Sequence, residues 1–319
     1  MPSLLALRPV STVHRLEARS EACPLSLRHL AGALAKAGVT MPIFAAPFPA
    51  VARAALVAAK GARAVVGLSL PARVEPEPWF AIVARAADEL APRLPFFVSG
   101  EVTLDDDAGI ERGFAAAHRL LEAGVTHLAV DVSAVSLPRR AEAAARLAGL
   151  AAEREIAVDC ALPATDGPPE VDEAIAYLEE FEGFGVRADV VSVRCRAPDG
   201  AAAAEAEARA LAALGAAIVR PILRRGLLPE ASIAAVRSAR LCAVEDGGRA
   251  LAAGARAARN DAAARAAAGQ ADGKAGPLSP EAVNRVEALA YAEASALLDA
   301  LGASGSAAIA EAALIPRRR

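Results

Sequence analysis

Residues 41–49 read Met41-Pro42-Ile43-Phe44-Ala45-Ala46-Pro47-Phe48-Pro49, an apolar run of strand character that passes into the helix-spaced stretch 50–60 without one glycine. An open, doubly wound α/β sheet puts a glycine-rich phosphate loop at this first strand-to-helix turn, because glycine lets backbone amides close on a phosphate. Alanine and proline stand there instead. The arrangement left for alternating strands and helices is a closed parallel barrel.

Outward from that stretch, short runs rich in Val, Ile and Ala recur at 63–70, 94–99, 126–132, 156–162, 188–194, 216–221 and 240–245. Between them lie segments with helical spacing of apolar residues, at 79–90, 110–123, 139–154, 169–181, 201–214 and 230–238. With 41–46 this makes eight strand–helix units over residues 41–265. The expectation is an α/β fold, a (βα)8 TIM barrel, with reactive groups at the C-terminal ends of its strands. Residues 1–40 form an N-terminal segment whose helix around 25–37 closes the barrel floor, and 266–319 hold a connector at 268–278 and a C-terminal helix. In Ser279-Pro280-Glu281, Ser caps, Pro takes the first turn and Glu faces the positive end of the dipole; Gly302 stops the helix.

Hydrophobic residues make up 55% of the 319 but aromatics only 3%, so the core is built from Ala, Val, Leu and Ile. The net charge is −3 and the only basic run is Arg317, Arg318 and Arg319, which argues against a nucleic-acid partner. Residues 1–8 are too short an apolar stretch for a signal peptide, and charges interrupt every run that approaches bilayer length. A cytoplasmic protein without membrane contact is expected. Cys23, Cys160, Cys195 and Cys242 stand far apart with no CxxC pair, which speaks against a disulfide framework or a structural zinc site. Lys36, Lys60 and Lys274 fall in helices or the connector, away from any Schiff-base position inside a barrel.

At the strand ends a family pattern emerges. Val130-Asp131-Val132-Ser133, the stretch from Gly226 through Pro229 to Ile233, the strand 241–245, and the closing helix with Gly302-Ala303-Ser304-Gly305 resemble class II fructose- and tagatose-bisphosphate aldolases over about residues 40–305. In that family an Asp-His pair ends the third strand, the aspartate moving the proton and the histidine binding a divalent metal; here the matching residues are Glu101 and Val102. A second ligand histidine corresponds to Asp199 of Asp199-Gly200, and the stretch 221–224 holds no third. The resemblance thus implies Glu101 as proton-transfer carboxylate and Asp131 as substrate-orienting group. It leaves no metal site and no cofactor. It also puts a phosphate beside strands seven and eight, where Arg224, Arg225, Gly226, Gly247 and Gly248 stand. A homo-oligomer, or a subunit of a larger complex, is expected on the same ground.

Two functions follow. One is a non-catalytic subunit, scaffold or ligand-binding protein that has lost the metal-dependent site. The other is a metal-independent lyase on a phosphorylated sugar or hydroxy-keto compound, with arginines in place of the metal. The charged residues at strand ends, Glu101, Asp131 and Asp159 against Arg194, Arg196, Arg220, Arg224 and Arg225, read either as buried ion pairs or as an anion pocket. Histidines 14, 29, 118 and 127 fall away from the catalytic face. Cys160 and Cys195 read as small core residues, and Asp105-Asp106-Asp107 as a turn that caps the next helix.

Overall fold

The computed structural model describes residues 3–70, 74–163, 170–246, 248–267 and 279–315. Nine parallel strands occur among them: β1 (Cys23–Pro24), β2 (Met41–Ala45), β3 (Val66–Ser69), β4 (Pro95–Thr103), β5 (His127–Asp131), β6 (Ala157–Ala161), β7 (Val190–Arg194), β8 (Ile222–Arg225) and β9 (Ala243–Glu245). β2 to β9 pair in sequence, and β2 also pairs with β9, so eight strands close on themselves as a TIM barrel. β1 is a two-residue addition against the start of β4.

The helices are α1 (Val10–Val13), α2 (Leu27–Lys36), α3 (Pro49–Ala62), α4 (Pro76–Leu90), α5 (Ile110–Ala123), α6 (Arg140–Ala152), α7 (Val171–Gly183), α8 (Ala201–Ile218), α9 (Glu230–Ser238), α10 (Arg249–Ala267), α11 (Pro280–Leu301) and α12 (Ser306–Leu314). Their ends are written in local chemistry. Proline stands in the first turn of α3, α4 and α11, where its missing N–H costs nothing. Ser279 accepts the Ala282 N–H, and α11 stops at Gly302 in the left-handed conformation. Asp106 caps the turn before α5 by accepting from Gly109.

Alternation along the strands divides the core in two. Phe44, Val66, Leu68, Phe96, Val98, Leu128, Val130, Val158, Val191 and Val244 face the helices and join a cluster with α3, α5 and α6. Met41, Ile43, Phe97, Ala157, Val190, Leu223 and Ala243 face the bore, and Leu27, Leu30 and Leu34 of α2 pack into the same cluster from below. The amphipathic α2 thus forms the floor. α11 lies against α3 and α10 on the outside.

One expected strand is displaced. Residues 216–218 continue α8, since Ala216-Ala217-Ile218 keep the helical spacing, and Val219 ends the helix with φ 53°. Pro221 has no N–H for the ladder, so β8 begins one residue later at Ile222. Arg220 is therefore at the bottom of the barrel, bonded to Glu182 and the Ala188 carbonyl, and not at a C-terminal strand end. Gly247, the connector 268–278 and Arg317 to Arg319 lie outside the described residues. No single helix among the described residues is long and apolar enough to cross a membrane; only α11 and α12 together, bent by 62°, reach that length.

Candidate functional site at the barrel mouth

Positions two apart on a strand share a face, so one inward residue near the C-terminal end of each of β4, β5, β7, β8 and β9 reaches the mouth. These are Glu101, Asp131, Arg194, Arg225 and Glu245. Arg225 is the centre of the group: its side chain is 7% exposed. It donates through Nη2 to Glu101 Oε2 at 2.8 Å, through Nη1 to Glu101 Oε1 at 3.2 Å, and through Nε to Glu245 Oε1 at 3.0 Å. β4 and β8 are four strands apart in either direction round the barrel, so this guanidinium crosses the whole bore. Burial opposes its charge, and Glu245, Glu101 and Asp159 more than restore it, raising its pKa.

Arg194 lies above this strut, bonded to Glu101 and 3.6 Å from Asp131 Oδ2. The Ser133 N–H donates to Asp131 Oδ1 at 2.9 Å. Burial pushes the Asp131 carboxyl upward, but the Ser133 hydrogen bonds and the charges of Arg194 and Arg225 prevail and hold it below its ordinary value. The two expected catalytic carboxylates are therefore brought together, and both are paired with arginine.

Of the expected phosphate residues, Arg225 and Gly226 meet on the same carboxylate, Glu245, and Arg224 does not join them. Arg224 faces the opposite way from Arg225, into the layer between sheet and helices, where it is fully buried and donates from Nε to Glu207 Oε1 of α8 at 2.7 Å. Among the described residues neither of its Nη atoms meets an acceptor. The Gly226 N–H is taken by Glu245 Oε2 at 2.7 Å. The Gly248 N–H donates to Asp246 Oδ1 at 2.8 Å. Asp199 is exposed in the loop between β7 and α8.

Asp246 shows what that carboxylate costs. It is buried, accepts from the N–H groups of Gly248, Ala250 and Ala45, and ties the end of β2 to the start of α10. Desolvation outweighs those hydrogen bonds and pushes its pKa up to about 6 from 3.8. The native state therefore holds the proton more tightly than the unfolded chain, so this stabilisation is present below the unfolded value and is lost as pH rises from about 4 to about 6. The shift of roughly two units corresponds to about 3 kcal/mol. Urea unfolding of wild type and Asp246→Asn at pH 4.5 and 7.5 should show a smaller decline in the variant; equal declines would assign the effect elsewhere.

Below the strut lies a polar chain that strand-end reasoning missed. His127 Nε2 is 3.1 Å from Asp159 Oδ2 and Nδ1 is 2.9 Å from Ser99 Oγ, all three side chains buried in the bore. Asp159 thus belongs to the middle of the barrel and not to its rim. Period-two alternation in 127–131 and 157–161 would have placed both residues inward. Cys195 is buried and its thiol is pushed up to about 12, and burial raises Cys160 well above its ordinary value, so neither offers a thiolate.

The divalent metal implied by the aldolase resemblance has a poor fit here. Glu101, Asp131 and Glu245 each already face a guanidinium, and among the described residues no group of three or more His, Cys, Asp or Glu side chains is placed to hold a metal ion.

No protein-family model and no curated protein sequence matches the chain. By structure, the chain has a TIM-barrel fold that it shares with solved aldolases. It superimposes on the YdjI aldolase from Escherichia coli K12 with a TM-score of 0.67 at 14% identity, covering 88% of this chain and 98% of that one. A Coccidioides immitis structure assigned as a fructose-1,6-biphosphate aldolase matches with a TM-score of 0.59 at 12% identity, over 92% of this chain and 99% of that one. Likeness at these identities establishes the shared fold.

Proposed function

We propose that this aldolase-like barrel has left metal-dependent aldol chemistry and acts as a ligand-binding protein or non-catalytic subunit. The observation that carries this reading is the Arg225 strut. A metal-dependent aldolase needs an ion with open coordination over the bore to polarise the ketose carbonyl. Here a guanidinium spans that space and fills the lone pairs of Glu101 and Glu245. Purified protein should hold no stoichiometric zinc or cobalt and should not cleave fructose or tagatose bisphosphate when either ion is supplied. Tightly held metal at one equivalent would sink the reading.

The metal-independent lyase remains the second reading, favoured by one feature: Arg194 is 41% exposed beside Glu101 and is accessible to a carbonyl oxygen from solvent. In it Glu101 moves the proton, Asp131 orients the substrate and Arg194 stabilises the enolate. Cleavage of a sugar phosphate that survives chelation and disappears in Glu101→Gln would establish this reading over the first.

A further inference from the structure

The outer helix α8 has a solvent face almost without polar side chains. Of its eight exposed positions six are alanine: Ala201, Ala202, Ala206, Ala213, Ala216 and Ala217. Other helices of the ring are charged on that side, α5 with Glu111, Arg112, Arg119 and Glu122 and α7 with Asp172, Glu173, Glu179 and Glu180. Helix propensity does not demand the difference, since Glu, Lys and Arg support a helix nearly as well as alanine and also keep its surface hydrated. A contiguous apolar face of this kind marks a surface that another one covers.

Beside this ridge lies a groove of about 370 Å³ between α8 and α9. Ala201, Ala208 and Ala212 form one wall, and Ala231, Ala234 and Ala235 the other. Methyl side chains let a second helix approach to the short end of the packing range, about 8 Å between axes. One helix thus presents a ridge and a groove side by side. That is what a two-fold contact uses, each copy laying its ridge in the other's groove, whereas an unrelated partner needs only the groove.

The charges on the face select the same occupant. Glu205 and Arg209 are the other two exposed residues of α8, 3.6 Å apart and with side chains 66% and 72% exposed, so their pairing within one helix is solvent-screened and contributes little. An axis through position 207, midway between them, sets Glu205 against Arg209 of the partner subunit and Arg209 against the partner's Glu205. The α8 wall of the groove runs from Ala201 to Ala212 and has its centre at the same place. We propose that the chain forms a two-fold dimer through antiparallel α8 helices, each ridge seated in the other copy's α8–α9 groove and the Glu205–Arg209 pairs crossing between subunits. Residues 201–213 then lie against themselves over about 20 Å of helix. This inference is independent of how the mouth is read, because α8 and α9 carry it on the flank of the barrel.

Sedimentation velocity on the full chain tests it. Wild type should be a dimer at micromolar concentration. Ala206→Glu brings like charges beside the axis, at an exposed position where Glu keeps the helix, and should give a monomer of unchanged helix content. Glu205→Arg sets arginine against arginine and should weaken the dimer at least about tenfold, and Glu205→Arg/Arg209→Glu restores opposite charges and should recover it. A monomeric wild type would leave the face to a partner of other chemistry and overturn the proposal. A dimer that survives Ala206→Glu, or a charge exchange that fails to recover association, would overturn it as well. Bound zinc or bisphosphate cleavage would instead sink the reading of the mouth and leave this dimer standing.

Discussion

Arg224→Leu should lower unfolding stability by about 3–5 kcal/mol, because it leaves Glu207 as a buried carboxylate without its partner. The Arg224 side chain is 0% exposed and that of Glu207 10%, so solvent screens neither. The same logic makes the double variant Arg224→Leu/Glu207→Leu far milder: a buried ion pair replaced by well-packed apolar groups is neutral or even stabilising. Both Nη atoms of Arg224 lack an acceptor among the described residues, which adds a desolvation cost that the double variant removes. Chemical denaturation of the two single variants and the double variant gives the coupling directly. If the double variant loses as much as the sum of the singles, the pair is not the unit it looks to be.

The second large effect is expected at Gly226. Its φ is 94°, and a Cβ placed there would stand 2.4 Å from the Cys195 carbonyl oxygen, a backbone atom that cannot swing aside. Gly226→Ala should therefore cost about 3 kcal/mol or more, combining a left-handed alanine with a clash at the β7–β8 seam. Gly248→Ala is the control. Its φ is 77° but nothing among the described residues lies within 4 Å of the added methyl, so only the conformational cost of about 1 kcal/mol remains. Thermal melting of the pair separates the two contributions: equal losses would mean that contact with Cys195 plays no part.

The sequence carried the barrel because each unit announces itself locally. The apolar run 127–131 bounded by Gly124, and the proline-started helices α3 and α11, need no knowledge of their neighbours. The stretch 216–221 was harder, since Ala and Ile next to Val satisfy a helix and a strand equally, and only the close of α8 at Val219 decides between them. Shifting that strand also decides which arginine faces inward, because one residue of register exchanges the two faces. Because 224 and 225 fall inside β8 and not in a loop after it, the alternation of a strand puts Arg224 and Arg225 on opposite sides of the sheet. The mouth was legible as a collection of charges and illegible as a set of bonds: Glu101 and Arg225 are 124 residues apart, and their contact exists only once the barrel is closed.

That separation matters for the order in which the molecule is built. Glu101 belongs to the first half of the barrel, β2 to β5, and Arg225 to the second, β6 to β9. A contact of such sequence span forms late, after local strand–helix units have docked, since its loop-closure entropy is repaid only by the finished ring. Interactions absent from the folding transition state govern the rate of opening more than the rate of closing. The Arg225 strut is then a latch between two half-barrels, one that sets how long the closed molecule persists.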